Sequence, residues 1–324
     1  MHSDRPESHA LRFAVRFEPD SPPEELMEFA QWVERLGYDE LWFSEDLPFA
    51  GGIAMAATAL ACTERLRVGV GLLPAVTRNV ATLAMEIAAL ARIAPGRVTM
   101  TLGHGVPAWM EQIGALRRRR LLALEETTVA LRRLLAGEDV TIAGDAVDLR
   151  GVQLGFPPTV TPPILLGTTG PAGLELAGRS ADGITLPELV TPAAIEWARG
   201  EMARGGDAPH TVMYALLSVD HDRAEALRQV RPRIRRILDF QVYPGIAEMV
   251  GLGADGSGEM TDEIVTSIAA AGTPDDCRRA VTNWHRAGAE CVILNAGADD
   301  HRANVERFAT EVLPAFRATA ASAL

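Results

Sequence analysis

RLRVGVGLLPAVTRNVATLAMEIAALARIAPGRVTMTLG, residues 65–103, decides the fold. RLRVGVGLL (65–73) and RVTMTLG (97–103) are short apolar runs, and between them a stretch begun near Asn79 aligns Leu83, Ile87 and Leu90 at helical spacing. Strand, helix and strand in so short a span make a βαβ unit. Its two strands are parallel and its crossover is right-handed.

Working outward, the alternation repeats. LRFAVRF (11–17) precedes SPPEELMEFAQWVERLG (21–37), with Leu26, Phe29, Val33 and Leu36 on one side. Ser21, Pro22 and Glu24 offer a side-chain cap, a preset first turn and a reciprocal carboxylate, and Gly37 a left-handed stop. DELWFS (39–44) precedes AMAATALACT (54–63), and a helix over about 120–136 aligns Leu121, Leu124, Thr128, Leu131 and Leu135.

PILLG (163–167), ADGITL (181–186), HTVMYALLSVD (210–220) and ECVILN (290–295) are the remaining strands. GPAGLELAGRS (170–180), TPAAIEWARGEMA (191–203), residues 221–238, TPDDCRRAVTNWHRAG (273–288) and a terminal segment around 301–317 are their helices. Residues 138–162 interrupt the rhythm as a surface excursion, and QVYPGIAEMVGLGADGSGEMTDE (241–263) as a functional or mobile loop. Eight such units imply a (β/α)8 TIM barrel with insertions, one domain over residues 1–324. An open doubly wound sheet is the competitor, but no G-x-G-x-x-G with a following acid succeeds the first strand.

Composition narrows the function. A formal net charge of −12 argues against a nucleic-acid partner, and no uninterrupted apolar run is long enough to cross a membrane. All 31 basic residues are arginine, which excludes a Schiff-base lysine and a Walker lysine. Cys62, Cys277 and Cys291 stand far apart, so neither a disulfide framework nor a metal site is expected. The N-terminus lacks a leader pattern. These features point to a cytoplasmic protein acting on a small molecule, and the alanine- and arginine-rich usage to a high-GC, actinobacterial type of genome.

Barrel active sites lie at the carboxyl ends of the strands. Those positions hold Glu18, Ser44-Glu45-Asp46, Gly71-Leu72, Gly103-His104-Gly105, Gly167-Thr168-Thr169-Gly170, Pro187-Glu188 and Asn295. Glu18 is expected to be a solvent-exposed loop acid. Arg117 to Arg120 would oppose the dipole of a helix begun there, so that helix starts later or the run has an anionic neighbour; a solvated surface is the plain expectation.

RFEPD (16–20), GYDELWFSED (37–46), RVGVGLLPAVTRN (67–79), GRVTMTLGHG (96–105), GPAGLELAGRSADG (170–183), and GTPDD (272–276) with AGAECVIL (287–294) carry a resemblance along nearly the whole chain. It resembles the luciferase-like flavin and deazaflavin oxidoreductases, most of all the coenzyme F420 branch that includes methylenetetrahydromethanopterin reductase. The resemblance implies an isoalloxazine-type ring at the mouth, with Gly71-Leu72 as a bulged strand end, often a non-prolyl cis peptide, behind it. It implies that Gly167, Thr168, Thr169 and Gly170 lie beside the ribityl and phosphate portion.

Gly103 and Gly105 would let the main chain approach the ring, leaving His104 as donor or acid with an ordinary pKa of ~6.5, unless it only packs against Trp109. Many relatives read Asp-His where this chain reads Glu45-Asp46, so Asp46 either replaces that histidine or caps the next segment. The resemblance also implies a homodimer through helices beside strands two and three, with Met55, Met85, Ile87 and Leu90 on that surface or in the core. Hydride transfer between F420 and a small organic substrate is the expected function. An FMN-dependent monooxygenase and a noncatalytic cofactor-binding protein are the alternatives.

Overall fold

In a computed structural model, residues 11–240, 246–253, 256–297 and 301–321 are described. The leader reading, and parts of the 241–263 loop, fall outside them. The first four strands are β1 (Arg12–Arg16), β2 (Glu40–Phe43), β3 (Arg67–Pro74) and β4 (Val98–Gly103). A hairpin of β5 (Val140–Ala143) and β6 (Asp148–Val152) forms the excursion. Then come β7 (Ile164–Gly167), β8 (Gly183–Leu186), β9 (His210–Val219), β10 (Ala269–Gly272) and β11 (Cys291–Asn295).

Every pairing except the hairpin is parallel, in the order β1-β2-β3-β4-β7-β8-β9-β11. Ala14↔Ile293 closes β1 on β11. The eight anticipated strands therefore form a closed (β/α)8 barrel. Besides the hairpin strands, one further strand was not anticipated: among the described residues β10 pairs only with the outer end of β9, Leu216 to Val219. It is a short alanine-rich piece with neither β-branched residues nor alternation to announce it.

The helices are α1 (Leu26–Arg35), α2 (Gly52–Cys62), α3 (Val80–Ile93), α4 (Pro107–Gln112), α5 (Arg120–Leu135), α6 (Pro171–Ser180), α7 (Pro192–Ala203) and α8 (Arg223–Phe240). After them come α9 (Ile246–Met249), α10 (Asp262–Ile268), α11 (Pro274–Arg286), α12 (His301–Arg307) and α13 (Leu313–Ala321). Asn79 caps α3 by accepting from the Ala81 N–H, and Thr191 caps α7 by accepting from the Ala194 N–H. Gly37 holds φ +82° where α1 stops. The Ser21 cap does not form: a 3-10 turn over Pro23–Glu25 precedes α1, and the Ser21 N–H instead donates to the Glu18 carbonyl at 3.0 Å. Among the described residues no helix is long and apolar enough to cross a membrane.

Two apolar layers follow from the strand alternation. Phe13, Val15, Leu41 and Phe43 face the helices in the large core, while Ala14, Trp42, Leu165, Val212, Tyr214 and Ile293 fill the barrel. Trp42 lies against Gly69 and Gly71, two inward positions of β3 that have no Cβ to contest its volume. Its Nε1 donates to Glu40 at 2.7 Å, and Glu40, 1% exposed, also receives Arg12 Nε at 2.7 Å. The lower interior is thus plugged by an indole and a neutralised carboxylate. Any ligand must enter from the strands' carboxyl ends.

Candidate active site at the barrel mouth

The ends of β3, β4 and β7 make an apolar wall. Gly71–Leu72 is a cis peptide, and the β3–β4 register shifts between Gly71 and Leu73. This returns the Leu72 side chain across the neighbouring strands. A Cβ on Gly103 would stand 2.6 Å from Leu72 Cδ2, and one on Gly167 2.7 Å from it. The two glycines are needed because Leu72 occupies the room their side chains would take. Tyr214 on β9 donates to the Gly71 carbonyl at 2.6 Å and fixes this bend from beneath.

His104 follows directly. Its Nδ1 is buried without a partner among the described residues. Burial, and then the nearby Arg120 guanidinium, lower its pKa below the ordinary imidazole value, so it is neutral at neutral pH. Gly105 sits at φ +70°, a left-handed turn position, with Met110 packed where its Cβ would be. Trp109 packs against Phe240, with centroids 6.0 Å apart.

The ends of β1, β2, β8 and β11 make a charged wall. Arg16, the last residue of β1, donates to Glu188 at 3.2 Å, to Asp46 at 3.2 Å and to Ser44 at 2.9 Å, and lies over the Tyr214 ring. Asn295 donates to Glu188 at 3.0 Å and accepts from Arg233 of α8 at 2.6 Å. A continuous polar chain therefore runs from α8 to β2. Burial disfavours the Arg16 charge, but Glu18, Glu188 and Asp46 outweigh it and hold its pKa above the ordinary value.

Glu18 is 8% exposed, which overturns its assignment as a solvent-exposed loop acid. Burial pushes its carboxyl pKa up against the pull of Arg16 and Arg233. Its Oε1 lies 3.7 Å from His301 Nδ1, yet burial and then Arg233 bring His301 down to about 4, so the contact is no ion pair at neutral pH.

The anticipated residues are thus divided. Gly71, Leu72, Gly103 and Gly167 meet, and His104 adjoins them; Asp46 belongs to the opposite wall. Capping of α2 falls to Glu45, whose Oε2 accepts from the Gly52 N–H at 3.1 Å while both its oxygens hold Arg78. Thr168 is buried with its hydroxyl turned onto Gly173 of α6, and Gly170 is exposed at that helix's start with no side-chain cap. Arg16, Tyr214, Arg233 and His301 were not singled out from the sequence. A signal existed for Arg16: RFAVR puts Arg12, Ala14 and Arg16 on one face and Phe13 and Val15 on the other. In a strand flanked on both sides, that places the arginines inside the barrel.

The profile of the luciferase-like monooxygenase family matches residues 7–291. This chain belongs to that family. As a luciferase-like protein it is 27% identical to 5,10-methylenetetrahydromethanopterin reductase of Methanolobus tindarius over 308 residues, 88% of this chain and 94% of the relative. It is 26% identical to F420-dependent glucose-6-phosphate dehydrogenase of Beutenbergia cavernae over 317 residues, 91% of this chain and 94% of that one. The structure of coenzyme F420-dependent tetrahydromethanopterin reductase from Methanopyrus kandleri superposes with a TM-score of 0.79 at 20% identity, covering 94% of this chain and 99% of the other. That last likeness is one of luciferase-like fold.

Proposed function

We propose that the chain moves a hydride between coenzyme F420 and a small organic substrate at the barrel mouth. The observation that carries this reading is the half-buried Leu72 laid across Gly103 and Gly167, next to a histidine nitrogen with no partner among the described residues. A planar ring needs an apolar backing and an in-plane polar neighbour, and these residues fit it. The two F420-dependent proteins among the likenesses support the choice of cofactor.

When bound, the deazaflavin supplies a two-electron hydride carrier. Leu72 backs the ring. His104, neutral at neutral pH, accepts the proton released when the substrate is oxidised and, as the imidazolium so formed, returns it in the reverse direction. Gly167, Thr168, Thr169 and Gly170 lead from β7 into α6, and the first-turn N–H groups of that helix face the phosphate-bearing portion. Asp46 is the weaker candidate for the proton, because Arg16 and Ser44 already engage Oδ2. The same reading has the chain working in the cytoplasm as a homodimer. Met85 on α3, 61% exposed, is available for such a surface, whereas Met55, Ile87 and Leu90 are core residues.

Titration of the purified protein with F420 and with FMN, followed in the visible spectrum and then by turnover, tests the proposal. F420 binding with turnover is expected. FMN binding alone would shift the chain to the monooxygenases, and binding of neither would leave a protein without this chemistry.

A further inference from the structure

A small cavity opens beside the end of β4, with Val76, Met110 and Leu116 on its apolar side and His104, Arg117 and Arg120 on its polar side. Among the described residues no carboxylate lines it. The run Arg117 to Arg120 ends on the first residue of α5, and none of the four makes an ion pair with a described carboxylate. The first turn of α5 adds no acidic residue beside the run, and against burial Arg119 acts on Glu126 farther along the helix, whose carboxyl it helps to hold below the usual range, after the backbone N–H groups that bind it.

We propose that Arg117, Arg120 and His104 form a subsite for an anionic group, phosphate or carboxylate, carried at the end of an otherwise apolar ligand. Val76, Met110 and Leu116 take the apolar stem, and the two guanidinium groups give the fork geometry that such an anion accepts. The bearer of that anion is either the substrate or the cofactor, and this part of the inference rests on the oxidoreductase reading.

The arrangement couples the subsite to the proton chemistry. Arg120 disfavours the imidazolium form of His104, after burial. An anion held by the arginines offsets that charge, so His104 binds its proton more tightly when the anion is present, and by reciprocity the protonated histidine binds the anion more tightly. Ligand binding would then prepare the proton donor.

Inorganic phosphate is the probe, used on the full chain and followed by NMR titration of the His104 ring, assigned with His104→Gln. Saturable phosphate binding should raise the proton affinity of His104 about tenfold, while sodium chloride at equal ionic strength should not. Arg117→Gln with Arg120→Gln should abolish the shift, and Arg204→Gln, at a surface pair remote in sequence, should retain it. An unmoved His104, or the same shift in the double variant, overturns the proposal. Binding of F420 and of its ring portion lacking the anionic tail then separates the sources. If the double variant weakens only the tailed form, the cofactor supplies the anion; if it weakens neither, the substrate does. Failure of F420 to bind at all would sink the cofactor assignment and leave the phosphate result standing.

Discussion

The two sides of the barrel mouth are built from opposite materials. Along β4 and β7 the strand ends are glycine, and Leu72 of β3 covers them; along β1, β2, β8 and β11 they are arginine, carboxylates and an amide in one hydrogen-bonded chain. The first side gives an apolar surface with a single neutral imidazole at its edge. The second holds charges that satisfy one another. A hydride-transfer site needs both: a dry face to align a ring, and fixed charges whose orientation is set before the substrate arrives.

The largest expected effect comes from breaking the charged side. Arg16→Met removes the cation shared by Glu18, Glu188 and Asp46, and should cost about 3–5 kcal/mol in urea unfolding at neutral pH, the usual penalty for stranding a buried charge. The sign of its pH dependence is set by Glu18, whose folded pKa is already raised and would rise further. The penalty is therefore full above that folded value and shrinks as pH falls towards the unfolded carboxylate range. A variant equally destabilised at acid and neutral pH would show that Glu18 is not the stranded group.

The next effect separates the two sides by function. His104→Ala should lower turnover about 100-fold or more with cofactor affinity intact, whereas Asp46→Asn should lower it much less, because Asp46 is held by Arg16. Equal turnover losses would erase the distinction drawn between the walls, and unchanged turnover in both would remove them from the proton chemistry.

A smaller effect should follow from Gly103→Ala, which adds a Cβ 2.6 Å from the Leu72 side chain and displaces it. About tenfold weaker F420 binding, roughly 1.4 kcal/mol, is expected in a spectral titration. Wild-type affinity would show that Leu72 is not the backing of the ring.

The smallest effect is a control at the opposite end of the barrel. Glu34 accepts N–H groups of Glu64, Arg65 and Leu66 ahead of β3. Burial raises its pKa, but these bonds outweigh it and hold the carboxyl below its usual value. Glu34→Gln should cost about 1 kcal/mol by thermal unfolding and leave turnover unchanged. The wild-type advantage is present above the unfolded carboxylate pKa and lost as pH falls through the lower folded value. Reduced turnover would mean that the bottom of the barrel reaches the mouth.

Much of the apolar wall was legible in the chain. Gly71 near the end of β3 and glycine at the ends of β4 and β7, with His104 after one of them, make a local pattern in which position along a strand specifies position at the mouth. The charged wall was legible only in part. Glu18, Asp46, Glu188 and Asn295 could be located as strand ends, but not their partners, because Arg16 lies 172 residues from Glu188 and Arg233 62 residues from Asn295. The alternation of β1 gives the face that carries Arg16, but which carboxylates it meets there is decided only when distant strands close the barrel.

The unaided sequence determined the eight strands, the helix starts at Asn79 and Thr191, the parallel closure and the family, since each rests on periodicity or on contiguous motifs. Tertiary structure alone decided that Leu72 fills the glycine gaps, that Glu18 is buried, and that Arg16 balances three carboxylates. Those outcomes depend on which side chains from distant strands share one low-dielectric volume, and that volume exists only when the barrel has closed.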